Sequence, residues 1–156
     1  MKIQPLKQRD ASACGPTCIE MTARYFDAPL SVKKISDVTN YKKRGGLFNA
    51  QLVRALEKLT FNVEAGYDNT WGKLRSANTK DRVIIVSWML KGYIGHFSVV
   101  DKVTKNHVYL AEPTEGVIIK MQKLVFLRLW FDFDPHWYPK KNTDIKLRFM
   151  AVVSKP

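Results

Sequence analysis

From Val83 through Val86, and on past Ser87 to Leu90, the chain is almost unbroken in nonpolar side chains. The stretch is far too short to cross a bilayer, which takes about 20 residues. Its length and β-branched content read as a buried central strand. Around it the patterning divides the chain. The first third has helical spacing: Ile19, Met21, Ala23, Tyr25 and Phe26 follow Cys14-Gly15-Pro16, a short helix runs from Pro29 and Ser31 to Val38, and Asn49 caps another whose Leu52, Leu56 and Leu59 share a face. The rest reads as strands at about Asn62–Tyr67, Arg82–Leu90, His96–Thr104, His107–Ala111 and Val117–Lys120. Helical turns are expected at Trp71–Ser76 and Gln122–Leu127, and a tail strand at Asp144–Val153. Helices first and strands after predict an α+β fold, a helical lobe packed on an antiparallel β-sheet. At 156 residues the chain is expected to form one domain, 1–156.

Composition narrows the function classes. With 46% apolar and 12% aromatic residues the chain can bury a sizeable core, which excludes a disordered one. The net charge of +12 is spread in small clusters, Lys33-Lys34, Lys42-Lys43-Arg44 and Lys140-Lys141, without a nucleic-acid motif or a dense basic stripe carrying stacking aromatics. No specific nucleic-acid partner is expected; such a charge attracts acidic peptides or anionic membrane surfaces. Met1-Lys2-Ile3-Gln4-Pro5-Leu6-Lys7 lacks the apolar region of a signal peptide, and there is no transmembrane segment, so the expected location is the cytoplasm. The two cysteines, at i and i+4 of one helix, make a poor disulfide and too few ligands for zinc. No metal or cofactor is expected, and Cys18 reads as a packed core thiol.

Cys14 is set differently. Gly15 and Pro16 open the helix behind it, since proline's missing N–H costs nothing in the first turn. The free N–H groups and positive dipole end of a helix stabilise an anion and favour the thiolate, so Cys14 is a candidate nucleophile. Gln8, six positions earlier, carries an amide whose N–H can meet the oxyanion formed when a thiolate attacks a carbonyl. A cysteine nucleophile needs a base. His96 opens a strand just after the turn Lys91-Gly92-Tyr93-Ile94-Gly95, rigid yet at the loop edge. His107 follows the Lys105-Asn106 turn at the far end of that hairpin, and His136 lies in the aromatic loop Asp134–Pro139. Glu112, sixteen residues after His96, is the best placed acceptor to orient the imidazole, because a two-residue turn at Lys105-Asn106 sets Val99 opposite Glu112. A different register brings in Asp101 or Glu115. The Lys42-Lys43-Arg44-Gly45-Gly46-Leu47 loop has the glycines to let a substrate backbone approach, or serves only as a flexible connection.

These residues together resemble a known family. Gln8…Cys14-Gly15-Pro16 with Tyr25-Phe26 closing the helix, Ile84-Ile85-Val86-Ser87-Trp88 before a loop and His96-Phe97-Ser98-Val99-Val100, and Glu112-Pro113…Gly116 look like the papain-like bacteriocin-processing cysteine peptidase domain. That is the double-glycine leader peptidase found at the front of peptide-exporting ABC transporters. The resemblance covers roughly 1–130, in the family order Gln, Cys, His, acid, and is weakest over 131–156. It implies a papain-like fold with Cys14 as nucleophile, His96 as base and acid, and Gln8 as oxyanion donor. It also implies hydrolysis through a thiol acyl-enzyme on the carboxyl side of small residues, with a peptide or protein substrate and a separate ABC exporter as partner. Ala13 stands where the family often has Asp, Glu112 replaces the usual Asp, and no transporter follows within the 156 residues. Two other functions share parts of this pattern. A deamidase or transglutaminase-like acyl transfer uses the same Cys-His-acid constellation; a catalytically silent peptide-binding module keeps the fold alone, and intact Gln8, Cys14 and His96 argue against it.

Overall fold

The computed structural model describes residues 3–133 and 139–156. Helix α1 (Cys14–Tyr25) begins where Pro16 and Gly15 predict, and from Gly15 to Ala23 it is buried on every side. A helix so enclosed must satisfy its polar side chains internally. Thr17 donates its hydroxyl to the Ala13 carbonyl at 2.7 Å and Thr22 to that of Cys18 at 2.8 Å. The buried Glu20 carboxylate accepts from Arg9 and Arg24, each at 2.9 Å. Helix α2 (Val32–Thr39) is capped by Ser31, whose side chain accepts from the Lys34 N–H. A single turn, α3 (Tyr41–Arg44), occupies the first half of the lysine-rich loop. Helix α4 (Asn49–Lys58) starts one residue earlier than expected: Phe48 is the N-cap, its N–H held by the Gln51 side chain at 2.9 Å, and Asn49 is the first helical residue.

The sheet has six antiparallel strands, β1 (Asn62–Gly66), β2 (Val83–Leu90), β3 (Ile94–Val103), β4 (His107–Glu112), β5 (Val117–Gln122) and β8 (Met150–Ser154), in the order β1-β8-β2-β3-β4-β5. The nonpolar run is β2, central as expected, and its alternation divides two cores. Val83 and Ile85 pack with Phe97, Val99, Ile19, Leu52 and Leu56 on the side of α1 and α4. Ile84, Val86 and Trp88 pack with Trp71, Leu74, Phe126 and Trp130 on the side of α5 (Trp71–Ala77) and α6 (Lys123–Leu129). Each layer buries the face that the sheet turns toward it. Among the described residues no helix is long and apolar enough to cross a membrane.

Three local expectations are corrected. Strand β3 starts at Ile94, so His96 is its third residue and not its first. The β3–β4 register pairs Val99 with Ala111 and not with Glu112, because a bulge between Val100 and Lys102 absorbs Asp101. The tail strand expected over Asp144–Val153 is two strands: β7 (Ile145–Leu147), paired with β6 (Phe131–Phe133), and β8. Arg148 breaks it, with φ at 52°, and its carbonyl is held by the Asn69 side chain at 2.9 Å. β8 then inserts between β1 and β2, pairing Val153 with both Val63 and Val83.

Truncation after Leu147 therefore leaves β1 without a partner and strips one edge of the central β2. The shortened chain is expected to lose its cooperative thermal transition by circular dichroism, whereas retention of a sigmoidal melt contradicts the central place of β8.

Candidate active site

The segment leading into Cys14 is organised by Asp10. Its carboxylate accepts from the Ser12 N–H at 2.9 Å and the Tyr41 hydroxyl at 3.0 Å, and its carbonyl accepts from the Ala13 N–H at 3.2 Å. This delivers the half-buried Cys14 to the first turn of α1, whose free N–H groups and dipole present positive potential to the sulfur. Cys18, one turn deeper, is fully buried, and burial raises its thiol pKa well above the ordinary value.

His96 and Glu112 meet across the end of β3 and β4. Counted from the Val99–Ala111 pair, His96 three residues back and Glu112 one residue on both fall on the alternate face, so the bulge at Asp101 is what puts them on one side. His96 Nε2 and Glu112 Oε1 lie 2.5 Å apart, both side chains being about 95% buried. The longer glutamate is folded back by the turn that follows: Thr114 N–H donates to Oε1 at 2.8 Å and Glu115 N–H to Oε2 at 3.2 Å. With Nε2 taken, Nδ1 is the ring nitrogen left to interact with the Cys14 side chain, one of the groups that raise the His96 pKa. Trp88, the cross-strand partner of His96, packs edge-on against the imidazole at 5.8 Å and fixes its plane.

Charge on this pair is decided by a contest. Burial disfavours an imidazolium, but hydrogen bonds to Cys14 and Glu112 and their negative charge outweigh it, and the His96 pKa rises from 6.5 to about 9. Burial also disfavours the carboxylate, but the His96 and Thr114 hydrogen bonds and the imidazolium charge pull Glu112 from 4.5 down to about 2.

A cleft of about 360 Å³ opens over Cys14 and His96. One wall is the loop Arg44-Gly45-Gly46-Leu47-Phe48; the other includes Ser87, Gly95, Asp132 and Phe133. Gly45 and Gly46 have φ of 70° and 127°, so the loop turns there as only glycine readily does. Leu47 lies against the first turn of α1 so closely that a Cβ on Gly15 would stand 2.9 Å from its Cδ1. Ser87, the one polar interruption of the nonpolar run, donates its hydroxyl to Asp132 at 2.8 Å. That interruption was a readable signal of the cleft wall; nothing in the sequence pointed to Asp132.

The other candidate side chains have surroundings of their own. Gln8 donates Nε2–H to the Asp10 carbonyl at 2.8 Å, and its Oε1 is buried with no hydrogen-bond partner among the described residues. Asp101 accepts from the Ile3 N–H at 2.7 Å, and Glu115 is an exposed charge 3.8 Å from Lys7. His107 opens β4, at the opposite end of that strand from Glu112. His136 lies outside the described residues.

The pH dependence of stability follows from the two shifts. Glu112, lowered from 4.5, contributes stability that is present above about 4.5 and lost as pH falls through about 2. His96, raised from 6.5, contributes stability that is whole below about 6.5 and lost as pH rises through about 9. The difference in urea midpoint between wild type and Glu112→Gln is therefore expected to be greatest between about pH 4.5 and 6.5 and to shrink on both sides; a difference that does not vary with pH contradicts the pairing.

Comparison with known proteins agrees with this geometry. The family model described as the peptidase C39 family matches residues 2–133. No curated protein sequence matches the chain. Among solved structures, the peptidase domain of Streptococcus ComA, a bifunctional ABC transporter of a quorum-sensing pathway, is similar with a TM-score of 0.73 at 16% identity, covering 99% of this chain and 100% of that one. A double-glycine-motif protease from an AMS/PCAT transporter, solved with its leader peptide, is similar with a TM-score of 0.68 at 19% identity, covering 96% and 91%. The peptidase domain of Streptococcus mutans ComA gives 0.64 at 16%, covering 97% and 98%. The chain, with its thiol at a helix mouth and an imidazole–carboxylate pair across the cleft, belongs to the peptidase C39 family and is a papain-like cysteine peptidase.

Proposed function

We propose that the chain cleaves a peptide on the carboxyl side of small residues, in the manner of a double-glycine leader peptidase, with Cys14, His96, Glu112 and Gln8 as its working residues. The observation that carries this is the buried His96–Glu112 contact at 2.5 Å, which commits Nε2 to the carboxylate and leaves Nδ1 to the thiol. In this reading Cys14 and His96 rest as thiolate and imidazolium. The sulfur attacks the scissile carbonyl carbon, and the carbonyl oxygen takes the negative charge. The first-turn N–H groups of α1 and the second N–H of the Gln8 amide stabilise it, while the first N–H stays on Asp10. As the C–N bond breaks, His96 Nδ1 gives its proton to the departing amine, leaving a thioester on Cys14. Water, losing a proton to Nδ1, then hydrolyses the thioester and restores the ion pair. Glu112 stays ionised throughout and fixes the ring.

The elements that line the cleft are tightly packed on both sides of the pair. Leu47 closes against Gly15, and a Cβ on Gly95 would stand 3.3 Å from Asp132 Oδ1. The leader-peptide complex of a structural relative supports the same substrate class. Relatives placed in ABC transporters support a cytoplasmic role beside a peptide exporter.

A synthetic peptide with an internal Gly-Gly junction, followed by mass spectrometry, tests the proposal. Cleavage after the second glycine is expected, with none by Cys14→Ala and with kcat reduced roughly 10²–10³-fold by Gln8→Ala at unchanged thermal stability. Cleavage by Cys14→Ala overturns the mechanism; full kcat in Gln8→Ala removes that residue from it.

A further inference from the structure

The turn after β4 does more than fold Glu112 back. Its outer side is pressed against the N-terminal segment that carries Gln8. Gln8 N–H donates to the Pro113 carbonyl at 2.7 Å. Gly116, with φ at 69°, approaches Lys7 so closely that a Cβ there would stand 2.7 Å from Lys7 N and 3.0 Å from both Lys7 Cα and Cβ. Two of those three atoms are backbone, so no side-chain rotation relieves the collision. One residue beyond Gln8, Arg9 is tied to Glu20 of α1 at 2.9 Å. Gln8 thus sits between an anchor on the sheet and an anchor on the helix. Its own amide does not fix it fully, since Oε1 is buried without a hydrogen-bond partner among the described residues. The exposed Lys7–Glu115 contact at 3.8 Å adds little.

We propose that Gly116 is a positioning residue for the oxyanion donor: its missing side chain sets how deeply the Lys7–Arg9 segment seats, and so where the Gln8 amide meets the reacting carbonyl. The inference rests on the reading of Gln8 given above. Any side chain at 116 must push the Lys7 backbone from 2.7 Å toward an ordinary contact of at least 3.4 Å, a displacement of about 0.7 Å. Misplacement on that scale costs up to about 10²-fold in rate. The turn then holds the acid with one side and sets the oxyanion donor with the other.

The left-handed φ at 116 would strain Gly116→Ala and could unfold it, so Gly116→Asn is the working variant: asparagine tolerates positive φ while still adding the Cβ. Gly92→Asn is the matched control, because Gly92 has φ at 84° and nothing within 4 Å of a Cβ. On the Gly-Gly peptide, Gly116→Asn is expected to lower kcat by tenfold or more, up to about 10²-fold, with KM held. The pH profile of Cys14 alkylation by iodoacetamide should stay as in wild type, since that reaction needs no oxyanion donor. Gly92→Asn should keep wild-type kcat. In a Gln8→Ala background, Gly116→Asn should cost nothing further. Wild-type kcat in Gly116→Asn overturns the proposal, and so does an undiminished loss in the Gln8→Ala background, which would place its effect on Glu112 or the fold. Impaired Gln8→Ala with unimpaired Gly116→Asn sinks this proposal alone, whereas full kcat in Gln8→Ala removes both it and the role of Gln8.

Discussion

The contact between His96 Nε2 and Glu112 Oε1 is the interaction on which the rest of the site depends. Removing two such groups from water costs several kcal/mol per ion unless each remaining lone pair and proton is met. Here they are met: the carboxylate also accepts from the Thr114 and Glu115 N–H groups, and the free side of the ring is turned to Cys14. A partly satisfied version of this network would be worse than an apolar core. That explains why the surrounding structure over-determines it, with Trp88 against the ring and the 112–116 turn around the carboxylate.

The same logic accounts for the architecture. Helix α1 is buried from Gly15 to Ala23 because the sheet, α2 and α4 enclose it, and that enclosure aims its N-terminus at the cleft. Strand β3 brings His96 because β2, the most apolar segment, anchors it through seven paired positions from Ile84↔Val100 to Leu90↔Ile94. The helical and sheet halves are then stitched by short polar ties: Arg9 to Glu20, Gln8 to Pro113, Ile3 to Asp101. Each tie is made from residues 3–9 of the N-terminal segment, which joins the sheet side to α1.

Much of this was legible in the sequence, for identifiable reasons. Cys14 could be placed because Gly15 and Pro16 mark a helix start by local chemistry alone. β2 was legible from its run of Val, Ile, Trp, Met and Leu, and Glu112 could be set near the His96 end of the hairpin only through a register that the bulge shifts by one. The register was not. The bulge in β3 falls at Asp101, whose carboxylate takes the Ile3 N–H from 98 residues away in sequence, and no turn rule reports either. The place of β8 was hidden for the same reason. Its residues look like any strand, and only packing between β1 and β2 makes them central. Asp132, which shapes the cleft, carries no local signal because its role comes from what the fold sets opposite it.

The central claim is that His96 is an imidazolium held between the Cys14 sulfur and the Glu112 carboxylate. NMR titration of the His96 ring, labelled with ¹⁵N, reads it directly. The account predicts a midpoint near pH 9 in the wild-type protein, and a fall toward 6.5 when Cys14 is replaced by alanine. A midpoint near 6.5 in the wild type, unmoved by that replacement, would contradict it.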